Sequence, residues 1–454
     1  MNKKTSRRRF LRHAVGASLA MGLPLGAMRA IAQQTGEYRA LVCLYLFGGN
    51  DADNLIVPLA GSPAHVDYVN ERTGVLDASQ TALSLGAAPH TGYGQSIDWG
   101  VHSAMPNLAG LWHEGKAAAV ANVGTLVEPM TQATYRAGNT PRPMRLFSHS
   151  DQQAQSQNAS PSMQISSGWG GRIADRVVDD GYNSNALFPT AASFSGNPVM
   201  VAGEQAQAAT LSANYRLSLL GNYGTVASRN AAMEALLARD TGQPLLTRAN
   251  RRLLDTLELG RQVEAARQSA PPLVVPFPET GIGRQLRNVA ELVSLNGDLG
   301  TDRQVFFVSL GGFDTHAGQA APHARLLGQV DDALGAFYDQ LTELSMAHAV
   351  TTFTMSDFGR TFQVNGNVGT DHAWGAHHFV IGEAVNSGFY GDFPTLQRNG
   401  PDSTDGRGRW IPTTGLDQYG ATLARWLGVQ AADLTQVFPN LPNFPTDNLG
   451  FMRL

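Results

Sequence analysis

Acids and imidazoles recur in this chain in short clusters flanked by glycine. The first is Gly48-Gly49-Asn50-Asp51, the second Gly311-Gly312-Phe313-Asp314-Thr315-His316 and the third Ser356-Asp357-Phe358-Gly359-Arg360. A fourth, Gly369-Thr370-Asp371-His372-Ala373-Trp374-Gly375-Ala376-His377-His378, follows soon after. Carboxylates and imidazoles together are the donors that a divalent cation such as Zn or Mn accepts. Such a cation polarises an ester oxygen and activates water near neutral pH. Asp314 and His316 are two positions apart, so in an extended stretch they point the same way. The glycines let the backbone turn tightly and come close to a ligand. Each residue also has a plain structural reading: Asp51 and Asp314 as helix caps, His316 as a hydrogen-bonded core residue, Arg360 as the ion-pair partner of Asp357. A further polar cluster, Phe147-Ser148-His149-Ser150-Asp151-Gln152, offers Ser148 or Ser150 as a nucleophile at a helix N-terminus, with His149 the stronger functional candidate. The alternative there is an ordinary cap and a solvated loop. No Gly-x-Ser-x-Gly elbow is present, which argues against a metal-independent serine esterase.

The first three clusters each follow an apolar run that reads as a strand: residues 39–47, 304–310 and 350–355. After Arg39 the first of these is a continuous apolar run, as expected of a strand buried on both faces. Further strands are expected at 117–123 and 379–382, and two short ones within 186–203. Helical spacing marks 105–115, 169–178, 228–269 with a break near Gly242-Gln243-Pro244, 283–295, 324–346 and 416–427. Residues 148–167 read as a loop rich in Gln, Ser and Asn, and 271–280 as a proline-rich linker within the domain. Strands alternating with helices imply an α/β fold, a doubly wound, mostly parallel sheet with helices on both faces. In such a sheet ligands bind at the C-terminal strand ends, where Asp51, Asp314 and Asp357 would converge.

The composition is globular, with 43% hydrophobic and 15% charged residues, which excludes a disordered chain. A net charge of −4 and the absence of a basic stripe exclude nucleic acid as the partner. The lone cysteine, Cys43, lies in an apolar run and reads as a buried thiol, so no disulfide within the chain can form. Ser6-Arg7-Arg8-Arg9-Phe10-Leu11-Arg12 resembles a twin-arginine export motif. A short Gly- and Ala-rich stretch follows, and Ala30-Ile31-Ala32 offers a cleavage site before Gln33. Residues 1–32 are therefore read as a twin-arginine signal peptide and 33–454 as a single α/β domain. The expected location is periplasmic or secreted, the export partner is the twin-arginine translocase, and no later segment is apolar for long enough to span a membrane.

Phe47-Gly48-Gly49-Asn50-Asp51, Ser148-His149-Ser150-Asp151-Gln152, Gly168-Trp169-Gly170-Gly171-Arg172, the clusters at 311–316, 356–361 and 369–372, and Pro412-Thr413-Thr414 with Asp417-Gln418-Tyr419 come in one order. In this combination the chain resembles the bacterial domain of unknown function 1501 family, which is in turn similar to the alkaline phosphatase and sulfatase superfamily. The resemblance implies an alkaline-phosphatase-like fold and a divalent cation (Zn, Mn, Ca or Mg) held by Asp51, Asp314, His316, Asp357 and His372. Ser148, His149 and Arg360 would act on an anionic ester, with Arg360 gripping the anionic group. Phe358 stands where the superfamily has a His ligand, which leaves a second metal site one ligand short. Two readings follow: a metal-dependent hydrolase of phosphate or sulfate esters, or a non-catalytic binding or assembly protein that retains the fold.

Overall fold

The first strand, β1 (Arg39–Phe47), alternates between two cores. Ala40, Val42, Leu44 and Leu46 enter one, Leu41, Cys43 and Tyr45 the other. A strand with both faces in apolar surroundings needs no polar side, which explains its unbroken hydrophobic run. The computed structural model describes residues 37–75, 82–160, 165–212, 226–239, 242–270 and 272–454, so the expected leader lies outside the described residues. Residues 38–454 form one compact unit.

In chain order β1 is followed by β2 (Ile56–Pro58), α1 (Pro63–Glu71), β3 (Leu83–His90), β4 (Gln95–Val101), α2 (Pro106–His113) and β5 (Ala117–Gly124). Then come α3 (His149–Asn158), α4 (Trp169–Asp179), β6 (Ala191–Ser193), β7 (Ala209–Thr210), α5 (Gly281–Ser294), β8 (Arg303–Gly311), α6 (Ala320–Glu343) and β9 (Val350–Ser356). The chain closes with β10 (Ala376–Ile381), β11 (Gly388–Tyr390), β12 (Thr414–Gly415) and α7 (Leu416–Leu427). Among the described residues the main sheet has nine strands, in the order β11-β5-β10-β9-β1-β8-β6-β7, with β12 beside β5. β10 runs antiparallel to β9 and β5, and every other pairing is parallel. Helices α2, α5 and α6 cover one face through residues such as Leu108, Leu286, Val289, Val330 and Phe337. Helices α4 and α7 cover the other through Trp169, Ile173, Leu423 and Trp426. This is the doubly wound α/β arrangement expected from the sequence. Each fully buried Leu, Val or Phe in these layers contributes about 1.5–3 kcal/mol.

Three local expectations are corrected. Residues 149–158 form helix α3 rather than loop, and the reason is chemical. Asp151, Gln152, Gln155, Ser156, Gln157 and Asn158 are all buried, so the helix has no apolar face to reveal it. Gln152 and Gln155 donate to the Met144 carbonyl, Ser156 meets the Tyr45 hydroxyl at 2.8 Å, and Gln157 accepts the Met200 N–H. Within 186–203 there is one strand, β6, followed by a 3-10 turn at Val199–Val201. Strands β2, β4 and β3 form a separate antiparallel sheet that the sequence reading did not separate out.

Candidate functional site

Strands β9, β1 and β8 are neighbours, so the loops at their C-terminal ends lie side by side. Two glycines bring these loops into contact. Gly48 has φ +114°, and a Cβ there would lie 2.5 Å from the Asp314 nitrogen. Gly49 has φ +78°, and a Cβ there would lie 2.5 Å from the Phe358 ring. No side chain fits either place.

Asp314 is the hub. Its Oδ1 is 3.0 Å from His316 Nε2, 3.2 Å from His372 Nε2, 3.3 Å from His149 Nε2 and 3.0 Å from Arg360 Nη1. The other ring nitrogen of each histidine is already engaged. His149 Nδ1 is 2.7 Å from Asp357 Oδ2, His316 Nδ1 is 2.9 Å from Asp371 Oδ1, and His372 Nδ1 is 2.7 Å from the Phe147 carbonyl. An acceptor at Nδ1 favours the tautomer with its proton there, which is the form that presents an Nε2 lone pair to a cation. Three Nε2 atoms and a carboxylate oxygen therefore converge, with Arg360 as a fixed donor among them. His316 and His372 even meet Nε2 to Nε2 at 2.9 Å, a contact that two lone pairs tolerate only with a proton or a cation between them. His149 Nε2 is buried and makes no hydrogen bond despite its nearness to Asp314. The ligand atoms of His149, Asp314 and His372 lie within 4.8 Å of one another. Imidazoles held through Nδ1 by a carboxylate or carbonyl, with Nε2 converging beside a carboxylate, match the ligands and supporting hydrogen bonds that divalent cations use. The residues present fit a divalent cation.

The surroundings set the charges. Burial works against ionisation of Asp314, but the hydrogen bond and charge of Arg360, with His316 and His149, hold its carboxyl below the usual range. Burial lowers the basicity of His372. Asp371 is also held low, burial being outweighed by hydrogen bonds from Asn365, Arg407 and His316. Asp357 has no side-chain exposure; its Oδ2 takes Gln153 Nε2 at 2.7 Å besides His149, and its Oδ1 meets no donor.

The sequence candidates thus divide. Asp314, His316, His372 and His149 come together, and Asp357 stands behind His149 as its orienting acceptor. Asp51 is not brought into the cluster: its Oδ2 receives Arg72 and Gln319. Arg360 lies beneath the cluster with no side-chain exposure, its donors taken by Asp314, the Gly48 carbonyl and Thr370, so it positions Asp314 instead of gripping a solvent-borne anion. Ser148 donates its hydroxyl to Asp151 and also touches Ser150 at 3.3 Å, turned within its own helix cap. Several contributors carried no separable signal. Gln153 is an ordinary helix residue, Phe147 acts through its backbone at φ +76°, and Arg407 and Arg409 sit in a loop without a motif. Arg407 pairs with Asp371 and Arg409 Nε donates to the His372 carbonyl at 2.8 Å, so both stand beside the histidines at the rim.

The profile of a family described as a protein of unknown function, DUF1501, matches residues 38–404. The chain belongs to the DUF1501 family. This DUF1501 chain is similar to a solved protein of the alkaline phosphatase superfamily from Vibrio parahaemolyticus, at 12% identity and a TM-score of 0.35, over 87% of this chain and 68% of that one. It is similar to a sulfatase from Pseudoalteromonas sp. at 11% identity and 0.33, over 88% and 70%. A phosphonate monoester hydrolase of Agrobacterium radiobacter is similar at 10% and 0.33, over 87% and 74%. No curated protein sequence matches the DUF1501 chain. Among its described residues no helix is long and apolar enough to cross a membrane.

Proposed function

We propose that this protein is a metal-dependent hydrolase of phosphate or sulfate esters, exported by the twin-arginine translocase and acting in the periplasm or outside the cell. His149, Asp314, His316 and His372 would hold the divalent cation. The observation that carries the reading is the convergence of three Nδ1-anchored imidazoles on Asp314 Oδ1. A divalent cation there would supply Lewis-acid chemistry to an ester oxygen. The chain's own residues do the rest. Asp357, Asp371 and the Phe147 carbonyl hold the three Nδ1 protons, and Arg360 keeps Asp314 ionised. Side-chain exposure of 46% at Asp314 and 42% at His316 leaves the cluster open to substrate, while Arg360 and Asp357 below it are at zero. Arg407 and Arg409 stand at the rim, each in an ion pair, with Asp371 and Asp405. With Ser148 turned to Asp151, water is the attacking group in this reading.

The test is elemental analysis of mature protein purified without chelators, followed by turnover of phosphate and sulfate monoesters. About one equivalent of Zn, Mn, Ca or Mg, with turnover abolished in Asp314→Ala, is the expected result. Undiminished turnover in that variant would sink the proposal. The second reading, a non-catalytic binding or assembly protein, draws on Ser148 being turned to Asp151 and not to the cluster. Bound metal with no turnover of any anionic ester, together with stoichiometric capture of a partner, would favour it.

A further inference from the structure

The ligand set implied by the sequence resemblance includes Asp51, but the fold gives that carboxylate a cation of its own. Asp51 and Arg72 form an ion pair in which neither side chain has any exposure. Arg72 Nη2 and Gln319 Nε2 both donate to Asp51 Oδ2. Arg72 Nη1 is tied to the carbonyls of Thr361 and Phe362 at 3.2 and 3.1 Å. The guanidinium carbon stands 5.9 Å from the Tyr68 ring and 5.7 Å from the Phe362 ring. These contacts come from α1, the β1 loop and the β9 loop at once, so the guanidinium cannot swing aside without stranding the two carbonyls. Guanidinium does not give up its proton, so its charge beside Asp51 is permanent.

From this we infer that Arg72 stands fixed where a second cation would otherwise sit, so that the protein holds one divalent cation, at the histidine cluster, and Asp51 is not among its ligands. The inference rests on the metal reading above and refines it. Arg360 pairs with Asp314 in the same way, but that carboxylate is 46% exposed and three imidazole nitrogens face it. Asp51 has no exposure and its Oδ2 meets only the donors of Arg72 and Gln319, so a metal ion there would face a full, poorly screened positive charge at hydrogen-bonding range. Asp51 Oδ1 meets no donor, and Arg72 is the full charge that balances it. Phe358 acts in the same direction. Its ring carries no ligand atom and lies with its centroid 4.8 Å from that of His149 and 4.9 Å from that of His372, on the side of the cluster that faces the β1 loop through Gly49. Asp51 still communicates with the cluster, through Gln319, the Thr370 hydroxyl at 2.5 Å from Gln319 Oε1, and Arg360 Nε at 3.0 Å from that hydroxyl. It does so as a support for Arg360 and not as a ligand.

The experiment is metal stoichiometry by elemental analysis on the full mature chain, with Zn or Co titrated into stripped protein. The wild type is compared with Asp51→Asn and with the double variant Asp51→Asn, Arg72→Met. The double variant removes both buried charges together, which keeps the test alive if an unpaired carboxylate or guanidinium prevents folding. Expected are one equivalent in the wild type and one in every variant that melts cooperatively, with affinity within about three-fold. Two equivalents in the wild type, or a tenfold or greater loss of affinity in a folded Asp51 variant, would overturn the inference while leaving the metal reading standing. No bound metal in the wild type would overturn the metal reading itself, and this inference with it.

Discussion

Asp417 permits a stability prediction whose size and sign both come from the structure. It sits in the first turn of α7, buried, with Oδ1 accepting the Asn440 N–H at 3.0 Å. Burial pushes its carboxyl up from an ordinary 3.8 to about 7, and the Asn440 hydrogen bonds and Arg172 offset only part of that. A carboxyl whose folded value is raised favours the fold when protonated. Its contribution is complete below the unfolded value of 3.8 and is lost as pH rises to about 7. A gap of about 3 pH units at ~1.4 kcal/mol each gives a loss of ~4 kcal/mol across that window. Asp417→Asn cannot ionise, keeps an acceptor for Asn440 and escapes the loss. Urea melts of both proteins from pH 4 to pH 8 measure the difference directly, since every other titrating group cancels in the comparison. The variant should match or fall slightly below the wild type at pH 4 and exceed it by several kcal/mol at pH 8. A flat difference curve would refute the argument that burial governs this carboxyl.

Other perturbations have equally definite outcomes. Asp357→Asn deprives His149 Nδ1 of its anionic acceptor and should weaken cation binding by about 10–100-fold in a Zn titration, with the fold retained in the circular dichroism spectrum. His323 is fully buried and lowered to about 4 by burial, so its stabilising contribution is present above its ordinary 6.5 and lost as pH falls to about 4. His323→Gln should remove about 3 kcal/mol of that acid sensitivity, read from urea melts at pH 4 and pH 7. Arg172 donates to the carbonyls of Val437, Ser167 and Asn158, so Arg172→Ala strands three buried acceptors and should cost about 3–5 kcal/mol in denaturant melts. Gly48→Ala combines a positive φ with a 2.5 Å clash on the Asp314 backbone; a loss of about 2 kcal/mol or more, with weakened cation binding, is expected.

The strands that carry the acids were legible because their surroundings are uniform. β1 and α7 have both their type and their limits written in apolar runs and helical spacing, and β8 and β9 differ by a residue or two at their ends. Helix α3 was not legible, because its buried polar side chains are satisfied off the helix, by Met144 just before it and by Tyr45, Thr125 and Met200 farther away, and no apolar stripe records them. Arg72 escaped for a related reason: it ends α1, a short helix with only Ala64 and Tyr68 buried, and its meaning depends on Asp51 across the fold. Asp314, His316 and His372 stood out by composition alone. The exclusion of Asp51 from their company, and the entry of His149 into it, are facts of packing that side-chain type could not decide. The hold that Phe147 has on His372 is a backbone contact and belongs to no residue type.

The histidine cluster draws on segments spread between residues 147 and 372, with long stretches of sheet and helix between them. No two of its arms lie within one hairpin or one helix. A nascent or partly unfolded chain therefore has at most the Asp314 and His316 pair of one loop, and the full donor set exists only after β9, β1 and β8 have closed on one another. Under the metal reading proposed above, a cation would meet a complete site only in the compartment where the sheet finishes forming.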